Sequence, residues 1–554
     1  MTMRPILHIE GLKVAYGPRT ALHGIDLRID AGQAVGIVGE SGSGKSTVAW
    51  TVMGLLPPGA AVTGGSVQFE GIELLTLPAD ERRRLRGEAV AMVFQDPFMT
   101  LNPCLTIGQQ LTEVLIERGL IDRTAARREG LRLMDEVRLP RPAELFDAYP
   151  HQLSGGMKQR IVIASALACS PRLLILDEPT TALDVTVEAR ILQLLAELQE
   201  TRGLSMLFIS HNLGIVERIC STVTVMQSGQ VVEAGATGDV LFHPEHAYTR
   251  KLLSALPRLA RALDAHSPEA LPLDPADSAG VGSQRLDAAV VEARRVGLTF
   301  GGEASWLRSK KGGVQALDDV SLRLWSGEIV GLVGESGSGK STLGRCLCGI
   351  YAPQVGQISI DGEPHGRPGG NVDRRIQMVF QNPDSSLNPR HRIGQIIGRP
   401  LRLVGLSQRE TKARVADLLT VVKLPTAYVD RYPHQLSGGE KQRIGIARAL
   451  AVDPEVLICD EVTSALDVSV QATILDLICD LRDRLKVAIL FISHDLAVIS
   501  QISDRIVVMK SGRVVEEGAA SQIIQSPREL YTRELLASVP PFICGFTRPL
   551  PVNR

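Results

Sequence analysis

Two lysines stand in one repeated setting. Gly39-Glu40-Ser41-Gly42-Ser43-Gly44-Lys45-Ser46 and Gly334-Glu335-Ser336-Gly337-Ser338-Gly339-Lys340-Ser341 are copies of a glycine-rich octet, 295 residues apart. Glycines at this spacing let consecutive backbone N–H groups turn toward one anion, and a following helix adds the positive end of its dipole. Lys45 and Lys340 then reach the outer phosphates of a nucleotide, and Ser46 and Ser341 are placed to ligate Mg2+. A lone octet of this kind can be an accidental surface loop, an explanation that two copies in register make poor.

Two acid pairs follow in the same order. Leu173-Leu174-Ile175-Leu176 runs into Asp177-Glu178, and Val456-Leu457-Ile458-Cys459 into Asp460-Glu461. In each pair the first acid can hold Mg2+ through water, and the second can orient or deprotonate an attacking water. Two acids after a strand also cap helices, but both pairs here lie downstream of a phosphate loop. Met206-Leu207-Phe208-Ile209 then delivers Ser210-His211, and Ile489-Leu490-Phe491-Ile492 delivers Ser493-His494. His211 and His494 can hydrogen-bond a γ-phosphate, although a lone histidine is more often structural.

These groups need elements that aim them at one place. Ala34–Val38 and Ile329–Val333, like the runs before the acids and histidines, are short and continuously apolar, the pattern of parallel strands buried on both faces. Residues just past the carboxyl ends of such strands face one crevice. Repetition fixes the larger plan. Gln95 and Gln381 occupy matching contexts 286 residues apart, while Leu153-Ser154-Gly155-Gly156 and Leu436-Ser437-Gly438-Gly439, and every later pair through Tyr248 and Tyr531, keep an offset of 283. The expected division is residues 1–257 and 290–540 as two homologous domains, a flexible linker over 258–289 and a loosely held tail over 541–554.

The 554 residues exceed one core, and 44 % hydrophobic with 22 % charged residues is the composition of a soluble globular protein. A net charge of −1 gives no global field toward nucleic acid or an anionic membrane. No apolar run approaches the roughly 18 residues of a membrane span, and the start lacks a secretory core, so a cytoplasmic chain is expected. The eight cysteines include no Cys-x-x-Cys. No disulfide or zinc is expected, and Cys346 and Cys348 read as small buried thiols.

In order and twice over, the phosphate loops, Gln95 and Gln381, the Leu-Ser-Gly-Gly signatures, the acid pairs, the Ala182-Leu183-Asp184 and Ala465-Leu466-Asp467 turns and the histidines resemble the ATP-binding cassette family across nearly the whole chain. The resemblance implies an α/β fold: two tandem P-loop NTPase (RecA-like) cassettes, each with an antiparallel β subdomain and a helical subdomain. It implies ATP and Mg2+ as cofactors, with nucleotide contacts from Gly39, Ser41, Gly42, Gly44, Lys45, Ser46 and Thr47, and from Gly334, Ser336, Gly337, Gly339, Lys340, Ser341 and Thr342. Ser46, Gln95 and Asp177, with Ser341, Gln381 and Asp460, would hold the metal. Glu178, Glu461, His211, His494, Gln95 and Gln381 would be catalytic. The cassettes would pair head to tail within one chain, so that Ser437, Gly438 and Gly439 serve the nucleotide at Lys45, and Ser154, Gly155 and Gly156 the one at Lys340. Adenine would stack on Tyr16 and on Phe300, the latter about eleven residues farther from its loop than the former.

FQDPFMTLNP from Phe94 to Pro103, FQNPDSSLNP from Phe380 to Pro389, the Tyr-Pro-His-Gln lead-ins at Tyr149 and Tyr432, and the segments around Tyr248 and Tyr531 are similar to dipeptide and oligopeptide importers. Tyr248, Leu252 and Leu256, like Tyr531, Leu535 and Val539, make one helical stripe, the pattern of core packing. Met157 and Glu440 after the signatures make the halves look like two different ATPase subunits fused. Residues 258–289 contain no cysteine, so no iron–sulfur centre is carried over. The resemblance implies ATP hydrolysis at the cytoplasmic face of the inner membrane, acting through two transmembrane permease subunits and an extracytoplasmic solute-binding protein, without nucleic acid. Peptides are the leading cargo; nickel, glutathione and opine-like solutes remain open. The rivals are a tandem-cassette, ribosome-associated translation factor and an inert ATP-binding pair; the retained Glu178 and Glu461 weigh against the latter.

Overall fold

The computed structural model describes residues 5–180, 183–256, 289–301, 313–365, 373–464 and 466–539. They fall into two compact units, the first ending at Leu256. The expected linker, apart from Ala289, the expected tail, and Ala182 and Ala465 of the two turns lie outside the described residues.

In the first unit the continuously apolar runs lie side by side within one six-stranded sheet, in the order Gln230–Ala236, Thr222–Gln227, Ala34–Val38, Ser205–Ser210, Leu173–Asp177, Val90–Val93. All neighbours pair in parallel except the first two. Every residue of Ala34–Val38, Leu173–Asp177 and Ser205–Ser210 is buried, as expected for a sheet covered on both faces. Since these three strands are adjacent and parallel, the phosphate loop, Glu178 and His211 leave the sheet at the same edge. A second sheet, antiparallel, joins Arg19–Ile29, Leu7–Tyr16, Ala60–Phe69 and Ile72–Glu73. Its alternating burial, as in Arg19–Ile29, marks one covered and one wet face.

Helices Ile107–Glu117, Arg123–Glu136 and Gly155–Leu167 pack together beside these sheets. The first begins at a reciprocal cap: Thr106 Oγ accepts the Gln109 N–H and Gln109 Oε1 accepts the Thr106 N–H. Gly155–Leu167 also touches strand Val90–Val93, which leads into Gln95.

The second unit repeats this plan. Its six-stranded sheet runs Ile376–Val379, Val456–Asp460, Ala488–Ile492, Ile329–Val333, Arg505–Lys510, Arg513–Ala519, and its antiparallel sheet joins Val314–Leu324, Val291–Phe300, Val355–Ile360 and Glu363–His365. Ile393–Leu403, Gln408–Val421 and Gly438–Leu450 supply the packed helices. Cys346 and Cys348 are buried, and burial pushes their thiols up to about 11 and about 12. Among the described residues no helix is long and apolar enough to cross a membrane.

Candidate functional site

Each phosphate loop is a tight turn that only glycine permits at key points. A Cβ on Gly39 would lie 2.2 Å from the carbonyl oxygen of Met226, and one on Gly334 2.2 Å from that of Met509. Gly44 and Gly339, which cap the following helices, have φ of 101° and 102°, open to glycine at little cost. Helices Lys45–Met53 and Lys340–Leu347 thus begin at the loop, with their first N–H groups turned into it.

Lys45 is buried, and its Nζ donates to the carbonyls of Gly39 and Glu40 at 2.7 and 2.8 Å. Lys340 makes the same bonds to Gly334 and Glu335, also at 2.7 and 2.8 Å. Burial lowers the Lys45 pKa, with the charge of Glu178 opposing. Ser46 Oγ donates to Asp177 Oδ1 at 3.1 Å and Ser341 Oγ to Asp460 Oδ1 at 2.8 Å. Burial pushes Asp177 up to about 6 and raises Asp460 as well. A hydroxyl and a buried carboxylate side by side, at the foot of a loop of N–H donors, suit a hard cation bridging to phosphate oxygens. Ser43 Oγ, buried in the loop without a hydrogen-bond partner, is a further polar atom free for an anion.

The second acids anchor a separate cluster. Glu178 accepts from Gln95 Nε2 at 2.8 Å and lies 3.3 Å from His211 Nδ1; Glu461 accepts from Gln381 at 2.7 Å and lies 3.5 Å from His494 Nδ1. Burial works against both imidazolium forms, but the hydrogen bond and charge of the adjoining glutamate outweigh it and raise each histidine. Glu178 and Glu461 have φ of 48° and 49°, the left-handed region, and their N–H groups donate to the carbonyls of Ile209 and Ile492.

Within each unit, then, Lys, Ser, Asp, Glu, Gln and His converge. The signatures sit on the packed helices. Ser154 Oγ caps its helix by accepting the Met157 N–H at 3.4 Å, and Ser437 accepts that of Glu440. The copies differ beyond this. Glu440 also accepts from the N–H and Oγ of Ser437 and from Tyr428 Oη, at 2.8, 2.9 and 2.7 Å, for which Met157 has no acceptor. A Cβ on Gly156 would meet Val187 Cγ1 at 2.5 Å, and on Gly439 would meet Val470 Cγ1 at 2.2 Å, so the second glycine of each signature is required by packing. Gly155 and Gly438 open their helices as N1 residues.

Tyr16 Oη lies 3.3 Å from Thr47 Oγ1, beside the first loop. Phe300 is 42 % exposed and meets Tyr351 edge-on with ring centres 5.3 Å apart. The stripes of Tyr248 and Tyr531 are buried as expected, yet each phenol oxygen also accepts a backbone N–H of its own phosphate loop, from Glu40 at 3.1 Å and Glu335 at 3.0 Å. Helical spacing identifies the buried face but not where a hydroxyl ends; the recurrence of a tyrosine, rather than a leucine, at both positions was the available signal.

The family model of the ABC transporter matches residues 22–181 and 317–464, and that of the oligopeptide/dipeptide transporter C-terminal region matches 232–279 and 515–543. The glutathione import ATP-binding protein GsiA of Salmonella choleraesuis (strain SC-B67) is 41 % identical over 560 residues, 97 % of this chain and 90 % of its own. GsiA of Escherichia coli O157:H7 is 42 % identical over 561 residues, 97 % of this chain and 89 % of its own. Among solved structures, the dimeric ATP-binding cassette MJ0796 bound to ADP and Pi aligns at TM-score 0.38 and 28 % identity, covering 42 % of this chain and 98 % of its own. The chain belongs to the ABC transporter family, as an ATP-hydrolysing protein with two ATP-binding cassettes, each followed by the oligopeptide/dipeptide transporter C-terminal region.

Proposed function

We propose that this chain is the energy-coupling ATPase of an importer, peripheral on the cytoplasmic face of the inner membrane, and that it acts through two separate permease subunits and an extracytoplasmic solute-binding protein. The observation that carries this reading is the oligopeptide/dipeptide C-terminal region after both cassettes. The cargo is a short peptide of glutathione size, in line with relatives named for glutathione import.

At each site the loop N–H groups and Lys45 or Lys340 bind the phosphates. Ser46 and Asp177 with Gln95, and Ser341 and Asp460 with Gln381, would hold Mg2+, which would neutralise phosphate charge when bound. Glu178 and Glu461 orient the attacking water, while His211 and His494 steady those acids and reach toward the γ-phosphate. The glutamines relay the state of the site to the neighbouring helices. Tyr16 and Phe300 stack on adenine. From the family resemblance, Ser437 completes the site on Lys45 and Ser154 that on Lys340.

The test is uptake. Vesicles carrying this chain with its neighbouring permeases should take up labelled glutathione or dipeptides only with ATP and the binding protein. Capture of ribosomes in place of hydrophobic membrane proteins would overturn the reading in favour of a translation factor.

A further inference from the structure

One peptide unit of each phosphate loop is gripped from both ends. Its carbonyl, that of Gly39, accepts from Lys45 Nζ at 2.7 Å, and its N–H, that of Glu40, donates to Tyr248 Oη at 3.1 Å. In the second unit Lys340 Nζ holds the Gly334 carbonyl at 2.7 Å, and Tyr531 Oη accepts the Glu335 N–H at 3.0 Å.

The tyrosine is itself rigidly mounted. Tyr248 lies on helix Ala247–Ala255, where it is 6 % exposed and Leu252 and Leu256 of the same stripe are buried with it. The start of that helix is tied to strand Gln230–Ala236, because the Glu233 carboxylate accepts the N–H groups of Glu245 and His246 at 2.8 and 3.2 Å. Tyr531 lies likewise on helix Leu530–Ser538, whose start Glu516 of strand Arg513–Ala519 tethers by accepting the N–H groups of Arg528 and Glu529 at 2.7 and 3.2 Å. A buried ring on a tethered helix has one place to put its oxygen. Neither tyrosine belongs to the cassette model's matched residues; both fall within the C-terminal region.

We propose that Tyr248 and Tyr531 are positioning residues, through which each C-terminal helix holds the phosphate loop of its own cassette in the shape that receives nucleotide. The C-terminal region then supports the ATP site rather than only packing beside it. Holding a loop before its ligand arrives saves ordering cost at binding, so the effect falls on nucleotide affinity more than on the chemical step.

The test uses the full chain with Tyr248→Phe and Tyr531→Phe, each of which removes one oxygen and keeps the ring. In the absence of nucleotide, Tyr248→Phe should speed amide hydrogen exchange in a peptide covering residues 34–46 and leave 329–341 unchanged; Tyr531→Phe should do the reverse. With both replaced, KM for ATP should rise about fivefold, the equivalent of one net hydrogen bond, with kcat within about twofold and the melting temperature lowered by no more than a few degrees. Wild-type exchange and KM in the Phe variants would overturn the proposal, as would faster exchange spread through the whole cassette. The exchange experiment needs no turnover, so it stands or falls separately from the transport reading.

Discussion

The side-chain amide of Gln95 donates to Glu178 Oε2 at 2.8 Å, and Gln381 repeats the bond to Glu461 at 2.7 Å. Glutamine can replace each glutamate as a hydrogen-bond acceptor but cannot take a proton from water. Glu178→Gln with Glu461→Gln should therefore leave ATP binding within a few-fold and cut phosphate release by roughly 10²–10⁴. Equilibrium nucleotide binding and a phosphate assay, run side by side, check this, and unchanged hydrolysis would remove both acids from the mechanism.

In the proposed head-to-tail pairing Ser437, which caps helix Gly438–Leu450 by accepting the Glu440 N–H, serves the nucleotide on Lys45. Ser437→Arg should disable the nucleotide site on Lys45 while sparing that on Lys340, as read by photo-crosslinking of labelled ATP followed by peptide mapping. Normal occupancy at Lys45 would contradict head-to-tail pairing.

The contact of Gly156 with Val187 gives a stability prediction free of catalysis. Gly156→Ala forces a methyl group to 2.5 Å from Val187 Cγ1 and Gly439→Ala one to 2.2 Å from Val470 Cγ1. Each should cost roughly 1–3 kcal/mol, seen as a lower denaturation midpoint of the cassette that carries it.

Glu233 supplies a pH dependence. Burial opposes its ionisation, but the bonds from the Glu245 and His246 N–H groups help hold its carboxyl below the ordinary value of 4.5. A depressed folded-state pKa stabilises above the unfolded value and loses that stability as pH falls through the folded one. Amide exchange in Ala247–Ala255, corrected for intrinsic rates, should accelerate as the pH drops below about 4.5. Glu233→Gln should flatten that dependence.

Much of this arrangement is legible in the chain itself. Ala34–Val38 and Ile329–Val333 are strands with the bounds read from their apolar runs, because a strand buried on both faces leaves no polar residue to blur its ends. Order along the chain also suffices to bring acids and histidines to one sheet edge, since parallel neighbours share their carboxyl ends. What stays hidden depends on distance in sequence. The bond from Glu40 to Tyr248 spans 208 residues, and the clash that keeps Gly156 small comes from a helix that begins at Val185. Spacing gives a side chain's face, whereas its terminal atoms are set by what the fold lays against them.

The left-handed backbone at Glu178 and Glu461 has a consequence for how the protein can change. A side chain held there costs roughly 1 kcal/mol that glycine would not. Replacement by glycine would relieve that strain but would strip Gln95 or Gln381, and the adjoining histidine, of its carboxylate partner. Each carboxylate is thus held at a backbone cost that its contacts with the glutamine and the histidine offset, and loss of either neighbour would leave that strain uncompensated.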